Sequence, residues 1–427
     1  MSLFNVDVGD EVRPSFQSER WMECTLPIGL VLLEGGVIGV IASKVFQVEP
    51  WVLALISAAP MFANLSSFLW NKLSLAKRKV QFASYLQLGV LICLLIVALS
   101  PINQLGVVML VTSMIASRIL LAGFVTVRSV VWSLNYARDI RGQATGQLQM
   151  IASVVSIIIS ASIGPYLDYI STNIAIIYVT GAIAGVLGIL FLGRVKVRGE
   201  KAQLAEEQLL KDATEDGPSF ASVLKKDRYF RSYQISMFGA GFSNMLIEAP
   251  LIFLITRELG ASYTVSIMLT MVIPITVRLV SLPAWASYLD KVHVAKFRSR
   301  QSIYWFVAQL LTMVGALLES IIWLGIARAI WGIAMAGGTL AWSLGHNDFA
   351  SPKELSSYMG VHVTLTGIRG VIAPALGIAL YTGIPSTGFE GFGNSVFIIS
   401  ALGSAAAAVG FYRLYRRMSA EKQLSLK

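Results

Sequence analysis

The sequence predicts an all-α integral membrane protein in which 12 transmembrane helices form two pseudo-symmetric six-helix bundles. The chain is 55% hydrophobic and only 14% charged, whereas a soluble domain carries roughly 25% charged residues. Twelve apolar stretches have about the 20 residues that a helix needs to cross a bilayer. The segments 118–134 and 328–344 both read arginine, glycine and then Trp-Ser-Leu, which indicates an internal duplication.

The apolar stretches follow one another in two groups of six. The spans are predicted at 21–43, 50–71, 80–99, 106–130, 144–167, 173–193, 232–255, 262–284, 301–318, 321–343, 357–381 and 393–412. Between the sixth and seventh lies the only sizeable polar connection. We therefore predict an N-terminal bundle over 1–193, a cytoplasmic linker over 194–231, and a C-terminal bundle with a basic cytoplasmic tail over 232–427.

The basic residues lie in alternate connections between the spans. Lysine and arginine favour the cytoplasmic side of a membrane. The pattern therefore predicts a multi-pass protein of the cytoplasmic (inner) membrane with both termini in the cytoplasm. The net charge of +10 is spread over these connections, and no soluble region is large enough for a domain, so nucleic-acid binding is not expected.

Prolines repeat with the same period as the arginines. Pro60 and Asn64 in the second span match Pro274 and Arg278 in the eighth, and Pro165 in the fifth span matches Pro374 in the eleventh. Proline loosens the backbone hydrogen-bond ladder where neighbouring helices or cavity water can satisfy the freed groups. We predict that Pro165 and Pro374 serve gating movements.

Ionisable residues inside the spans mark a candidate substrate or coupling site. A charge at the bilayer centre costs at least ~2.5–3.5 kcal/mol, so it should face protein or water. The candidates, spans in parentheses, are Glu34 (first), Arg118 (fourth), Glu248 (seventh), Arg278 (eighth), Arg328 (tenth), and Arg369 with His362 (eleventh). The third, sixth, ninth and twelfth predicted spans contain none. Asn64 and Gln147 add amides that could face a wet cavity.

This pattern resembles the major facilitator superfamily over essentially the whole chain. The family carries a Gly-x-x-x-Asp-Arg-x-Gly-Arg-Arg loop after the second and eighth spans. The second copy is recognisable at 286–291, which ends in Asp290-Lys291; in the first copy Lys77 matches Lys291, but Ala76 replaces the acid. Arg118 followed by Gly123 matches the family's arginine and glycine in the fourth span.

The resemblance implies two six-helix halves and a central cavity. Helices three, six, nine and twelve would face lipid and the others would line the cavity, which agrees with the placement of the charges. It also implies that Asp290 with Lys291 helps to latch the inner face, and that the halves rock to expose a midplane site alternately to each side.

Each charged candidate has a structural and a functional interpretation. Arg118 and Arg328 are equivalent in the repeat, and either hold their bundles together or act on the substrate. Arg278 and Arg369 have uncharged equivalents, which favours a function. Glu34 either pairs with one of the arginines or carries a proton. Two further residues, Glu23 and Arg128, lie near the inner ends of their spans and are expected to meet solvent.

The balance of charges suggests the substrate. Four arginines against two glutamates leave the interior basic, and guanidinium groups bind carboxylate and phosphate. We predict a secondary active transporter that moves a small anionic organic solute by alternating access and is coupled to protons. Two alternatives stay open: a proton-driven exporter of drugs or natural products, and a non-transporting membrane scaffold of the same fold.

Other classes of activity find no support in the sequence. The chain has no P-loop, and its three histidines lack metal-ligand spacing. We therefore expect no enzyme, cofactor or metal. The expected partners are a small-molecule substrate, protons and the lipid bilayer, and the expected state is a monomer.

Overall fold

The computed structural model describes residues 6–170, 173–212, 220–351 and 354–421, which are almost entirely helical. The helices of the first half are α1 (Arg13–Leu30), α2 (Gly35–Lys44), α3 (Pro50–Ser74), α4 (Lys79–Ala98), α5 (Gln104–Asn135), α6 (Arg141–Tyr169), α7 (Ile174–Leu192) and α8 (Glu200–Asp212). In these ranges the only β-type pairing is a single bridge between Ile384 and Phe389.

The second half begins with a short helix in the predicted linker. Its helices are α9 (Phe220–Lys226), α10 (Arg228–Leu246), α11 (Glu248–Phe253), α12 (Tyr263–Ile267), α13 (Ile273–Leu289), α14 (Val294–Leu317), α15 (Ile321–Leu344), α16 (Leu355–Thr382) and α17 (Ser395–Ala420). Two π-helical segments, Leu254–Glu258 and Met268–Val272, flank the connection between the seventh and eighth spans.

The lengths of the helices fit a protein that crosses a membrane many times. In the described ranges nine helices are long and apolar enough to cross, and Arg13–Leu33 with Gly35–Lys44, bent by 41°, would make a tenth. The helices α3 and α14, with 25 and 24 residues, correspond to the other two predicted spans. The count of 12 is consistent with this architecture and stays a prediction.

Polar side chains start several of the membrane helices. At these N-termini a side-chain oxygen or ring nitrogen accepts a backbone N–H that has no partner inside the helix, which stabilises the first turn. The residues that act in this way are Asn103, Asp227, Ser262, His293 and Ser320.

The chain divides into two compact units. The first comprises Met1–Val48 and Phe62–Glu215, and the second comprises Glu49–Met61 and Asp216–Lys427. The main boundary falls inside the predicted linker. The predicted ranges 1–193, 194–231 and 232–427 remain a prediction.

The helices within each unit pack in the same order. In the first unit α1 packs against α6 and α7, and α4 packs against α5 and α7. In the second unit α10 packs against α16 and α17, and α14 packs against α15 and α17. The internal repeat of the sequence is therefore also a repeat of helix packing.

The first helix of each unit is interrupted at a glutamate. In the first unit α1 gives way to a 3-10 turn, Glu34 is extended with ψ 137°, and α2 starts at Gly35. In the second unit α10 ends at Leu246 and α11 starts at Glu248, and Ile247 between them keeps right-handed backbone angles of φ −95° and ψ −4°. An interrupted membrane helix leaves backbone groups unpaired, and they need partners from elsewhere.

Candidate functional site

The interruption of the first unit is closed by an arginine. Arg118 of α5 donates from Nη1 to Glu34 Oε1 at 3.1 Å, and its Nη2 lies 3.0 Å from Glu34 Oε2. Nη2 also donates to the carbonyl oxygen of Leu33, which the interruption frees. The Arg118 side chain is 11% exposed and that of Glu34 is 44% exposed. Of the two interpretations of Glu34, pairing with an arginine is the contact observed.

The second unit has the same residue types at equivalent positions. Glu248 follows Glu34 by 214 residues, and Arg328 follows Arg118 by 210. They interact electrostatically, but in the part of the chain that the structure describes no salt bridge joins them. Arg328 instead donates from Nε to the carbonyl oxygen of Leu269 at 2.9 Å and stacks on Trp331 at 4.6 Å.

A cavity of about 310 Å³ lies inside the second unit, among α10, α14, α15 and α16. Its polar lining consists of Asn244, Glu248, Arg298, Thr339 and Arg369, and the rest is mostly methionine and tryptophan. A volume of this size lies at the lower end of the usual range for small-molecule sites. The cavity therefore brings together two of the predicted residues, Glu248 and Arg369.

Arg369 of α16 reaches across to α10. It is 5% exposed, and it donates from Nη1 to the carbonyl oxygen of Met237. Its guanidinium lies against Gly241, where an added Cβ would be 2.1 Å from Cζ. The absence of a side chain at Gly241 therefore leaves room for the Arg369 guanidinium. Nε of Arg369 is buried without a hydrogen-bond partner in the described ranges.

Arg298 is a buried charge that the sequence does not single out. The ninth span is predicted to start at 301, but α14 starts at Val294, so Arg298 lies within the helix and is 6% exposed. The predicted span 301–318 contains no charge, and the structure adds a buried arginine three residues before it on the same helix. A signal existed: Arg298, Gln301, Trp305 and Gln309 recur at helical spacing, which places polar groups along one buried face.

In the first unit a buried lysine, Lys79, likewise lies directly before a span that is predicted to contain no charge. It is the first residue of α4, the third span, and is 1% exposed. Its Nζ lies 2.6 Å from Glu207 Oε2 of α8, and the same oxygen accepts the Ala76 N–H at 2.8 Å. Glu207 therefore places a carboxylate beside Ala76, in the loop copy that lacks its own acid.

A second charged cluster of the first unit was also misjudged. Glu23 and Arg128 were expected to meet solvent, but Glu23 is buried and hydrogen-bonded to Arg128. Next to them Glu19 accepts from Trp132 Nε1 and from the Tyr136 hydroxyl, both at 2.6 Å. The carboxylates of α1 find their partners on α5, which lies far away in sequence, so the local pattern could not reveal them.

The other predicted residues lie in several places. Arg278 is partly buried on α13 and does not line the cavity, Asn64 is partly buried on α3, and Gln147 is buried on α6. His362 of α16 is buried, and its Nδ1 lies 3.2 Å from Gln234 Oε1. No observation tests a substrate role for these residues.

The predicted gating residues are placed as follows. Pro165 and Pro374 lie inside α6 and α16, the equivalent helices of the two units, and both helices continue through them. Asp290 and Lys291 are exposed at the end of α13. Gating by these four residues remains a prediction.

The family model of the Major Facilitator Superfamily matches residues 30–307 of the chain. The chain belongs to this superfamily. A search of curated protein sequences finds no match. The matched range includes Glu34, where the first helix is interrupted, and Arg118 of the fourth span.

Solved structures of transporters share the fold. A point variant of the nucleoside transporter NupG matches with a TM-score of 0.71 at 13% identity, covering 94% of this chain and 100% of the other. The D-xylose-proton symporter matches with a TM-score of 0.67 at 12% identity, covering 94% and 98%. The peptide transporter POT in complex with sulfate gives 0.69 at 12% identity, covering 95% and 94%. The chain is thus a multi-pass membrane protein with a transporter fold.

Proposed function

We propose that the protein is a secondary active transporter that moves a small anionic organic solute by alternating access and is coupled to protons. The observation that carries the anionic substrate is the pair of buried arginines in the cavity of the second unit. Arg298 and Arg369 form no ion pair with a carboxylate in the described ranges. Burying a charge is costly unless it is paired, so a visiting anion would supply the missing partner.

The proton role falls to Glu34. A carboxylate that binds a guanidinium through two oxygens loses that ion pair when it is protonated. Its side chain is 44% exposed, and the proposal requires that this exposed part meets cavity water, which supplies the protons. Loading Glu34 with a proton would release Arg118 and the carbonyl of Leu33 at the point where the first helix is interrupted, which links protonation to a movement of that helix.

The remaining predictions belong to the same proposal. The transporter would act as a monomer in the cytoplasmic membrane with both termini in the cytoplasm, without enzymatic activity or cofactor. Arg118, Arg278, Arg328, Glu248, Asn64 and Gln147 would contribute to substrate binding or coupling. Asp290 with Lys291 and the prolines Pro165 and Pro374 would serve gating.

The test is uptake into proteoliposomes under an imposed pH gradient. The probes are radiolabelled benzoate and 2-naphthoate as carboxylates, inorganic phosphate, and tetraphenylphosphonium as a lipophilic cation. We expect a gradient-driven accumulation of a carboxylate that an ionophore abolishes. Arg369→Ala should remove it, whereas Arg413→Ala, which alters an exposed arginine at the end of α17, should not.

The other outcomes separate the alternatives. Accumulation of the cation in place of the anions would favour the multidrug exporter. No gradient-dependent movement of any probe would favour the non-transporting scaffold. Carboxylate uptake that ignores the pH gradient and is unchanged by Glu34→Gln would refute the proton role while leaving the anion in place.

A further inference from the structure

The two cavity arginines of the second unit come from different helices and meet near one tyrosine. Arg298 belongs to α14, and Arg369 belongs to α16. Tyr233 of α10 interacts electrostatically with both arginines, and its hydroxyl donates to the carbonyl oxygen of Ala341 at 3.5 Å. The two guanidinium groups are also close enough to repel each other. Two like charges are therefore held together inside a low-dielectric site.

Neutral groups accept only some of the hydrogen bonds that each guanidinium can donate. Arg298 donates from Nη1 to Gln301 Oε1 at 2.9 Å, and Arg369 donates to the carbonyl oxygen of Met237. Nε of each arginine is buried and has no hydrogen-bond partner in the described ranges. Both side chains are more than nine-tenths buried. The protein therefore satisfies the two guanidinium groups only in part, and a charged group in such a setting favours an anion.

The acid that lines the cavity forms no salt bridge with either cavity arginine in the described ranges. Glu248 interacts electrostatically with Arg328, which stacks on Trp331. Neither Arg298 nor Arg369 forms a salt bridge in the described ranges, and Arg298 donates to the neutral side chain of Gln301. The protein therefore gives neither arginine a direct ion pair.

The apolar part of the cavity wall favours a ligand with an aromatic ring. Trp305, Trp331 and Trp342 line the cavity, and the rings of Trp305 and Trp331 meet edge to face at 4.3 Å. Indole faces attract flat apolar groups, and a volume of about 310 Å³ admits a small ring system. A doubly charged phosphate would lose more hydration than this apolar wall can replace, so a singly charged head group fits better.

We propose that this cavity binds an aromatic monocarboxylate of one or two rings, with its carboxylate between Arg298 and Arg369 and its rings against the tryptophans. The inference rests on the proposed function, because it names the class of anion that the transporter would carry. It also assigns a binding role to Arg298, a residue of the helix that the family resemblance would turn towards lipid.

The test is ligand binding by the purified full-length protein in detergent, without transport. The probes are benzoate, 2-naphthoate, the uncharged analogue 2-naphthylmethanol, acetate and inorganic phosphate. Binding is followed by the shift of Tm and by tryptophan fluorescence. We expect 2-naphthoate and benzoate to raise Tm and to change the fluorescence, and the alcohol, acetate and phosphate to have much smaller effects.

Matched variants locate the head group. Arg298→Gln should weaken 2-naphthoate binding by about tenfold to one-hundredfold, the effect of losing a charge-assisted hydrogen bond. Arg300→Gln is the control, because Arg300 is an exposed arginine of the same helix that stacks on Tyr288. Gly241→Ala should also weaken binding, since the new Cβ would displace the Arg369 guanidinium while its charge is kept. If Arg298→Gln fails to fold, Gly241→Ala decides the question.

Several results would overturn the proposal. These are equal binding of the alcohol and the carboxylate, binding of phosphate but of no aromatic carboxylate, no binding of either aromatic acid, or normal binding by the folded Arg298→Gln and Gly241→Ala variants. Normal binding with no transport under a pH gradient would instead reject the proposed function and leave the binding site intact.

Discussion

In the first unit Glu34 and Arg118 bind each other through two contacts of 3.0 and 3.1 Å. In the second unit Glu248 and Arg328 hold the equivalent positions, but Arg328 turns to the carbonyl oxygen of Leu269 and the ring of Trp331. The helices of the duplicated unit have kept their packing, while the pairing of their buried charges has diverged. The first unit pairs its site charges internally, whereas in the second Arg298 and Arg369 have no ion pair in the described ranges.

The largest expected difference between the two units is the loss of anion binding when one arginine of each is removed. Arg369→Ala should weaken 2-naphthoate binding by about tenfold to one-hundredfold, because it removes a buried charged donor from the cavity. Arg118→Ala should change binding much less, because Arg118 is paired with Glu34. Equilibrium titration of tryptophan fluorescence measures both. Equal losses in the two variants would mean that the units do not differ in this way.

Double-mutant cycles compare the two acid–arginine pairs directly. Removing the charges of Glu34 and Arg118 to glutamine, singly and together, should give a coupling free energy of about 1–3 kcal/mol in the free energy of unfolding. The partial exposure of Glu34 keeps the value below that of a fully buried pair. The same cycle at Glu248 and Arg328 should give less than about 1 kcal/mol, since no hydrogen bond joins them. Unfolding in mixed micelles provides the measurement, and a larger coupling in the second unit would contradict the comparison.

The glycines that follow the two arginines sharpen the comparison at the level of packing. An added Cβ at Gly332 would meet the backbone carbonyl oxygen of Pro274 at 2.7 Å, whereas at Gly123 it would meet the Trp70 side chain at 2.7 Å. A backbone atom cannot move aside as a side chain can. Gly332→Ala should therefore lower the free energy of unfolding by about 1–3 kcal/mol, and Gly123→Ala by less. The reverse order in the same unfolding experiment would show that the fourth helices are packed differently.

The smallest expected difference in the free energy of unfolding is between variants at the loops after the second and eighth spans. Glu207→Gln removes the charge that binds buried Lys79, and it should loosen α8 and lower the free energy of unfolding by about 1 kcal/mol. Asp290→Asn alters an exposed residue and should have little effect on stability. Hydrogen exchange of residues 200–212 tests the first change. Unchanged exchange in Glu207→Gln would show that the linker does not depend on this contact.

The sequence alone predicts the features that depend on composition and period. Helices, fold class and the family follow from apolar length and from the repeated arginine and glycine. Arg369 stood out because its repeat equivalent, Ser160, is uncharged. The start of α14 was missed because Lys296, Arg298 and Arg300 read as a basic loop, although the helix begins at Val294 under a cap from His293.

Contacts between helices that are distant in sequence could not be predicted from the sequence. The pairing of Glu23 with Arg128, and of Glu207 with Lys79, joins residues more than one hundred positions apart. Nothing in the local pattern distinguishes a carboxylate that meets water from one that meets a guanidinium on another helix. The spacing of 214 residues between Glu34 and Glu248 was a signal of their equivalence in the repeat. The structure makes the equivalence clear, because a helix starts at or directly after each glutamate.

The central claim is that the second unit binds the anion while Glu34 of the first unit takes up the proton. Proton uptake by the purified protein on addition of 2-naphthoate tests it most directly, with a pH indicator in weakly buffered detergent solution. We predict uptake of about one proton per anion bound by the wild type, no uptake by a Glu34→Gln variant that still binds the anion, and weaker binding with correspondingly less uptake by Arg369→Ala. Equal proton uptake by the wild type and Glu34→Gln, or anion binding by the wild type with no proton taken up, would contradict it.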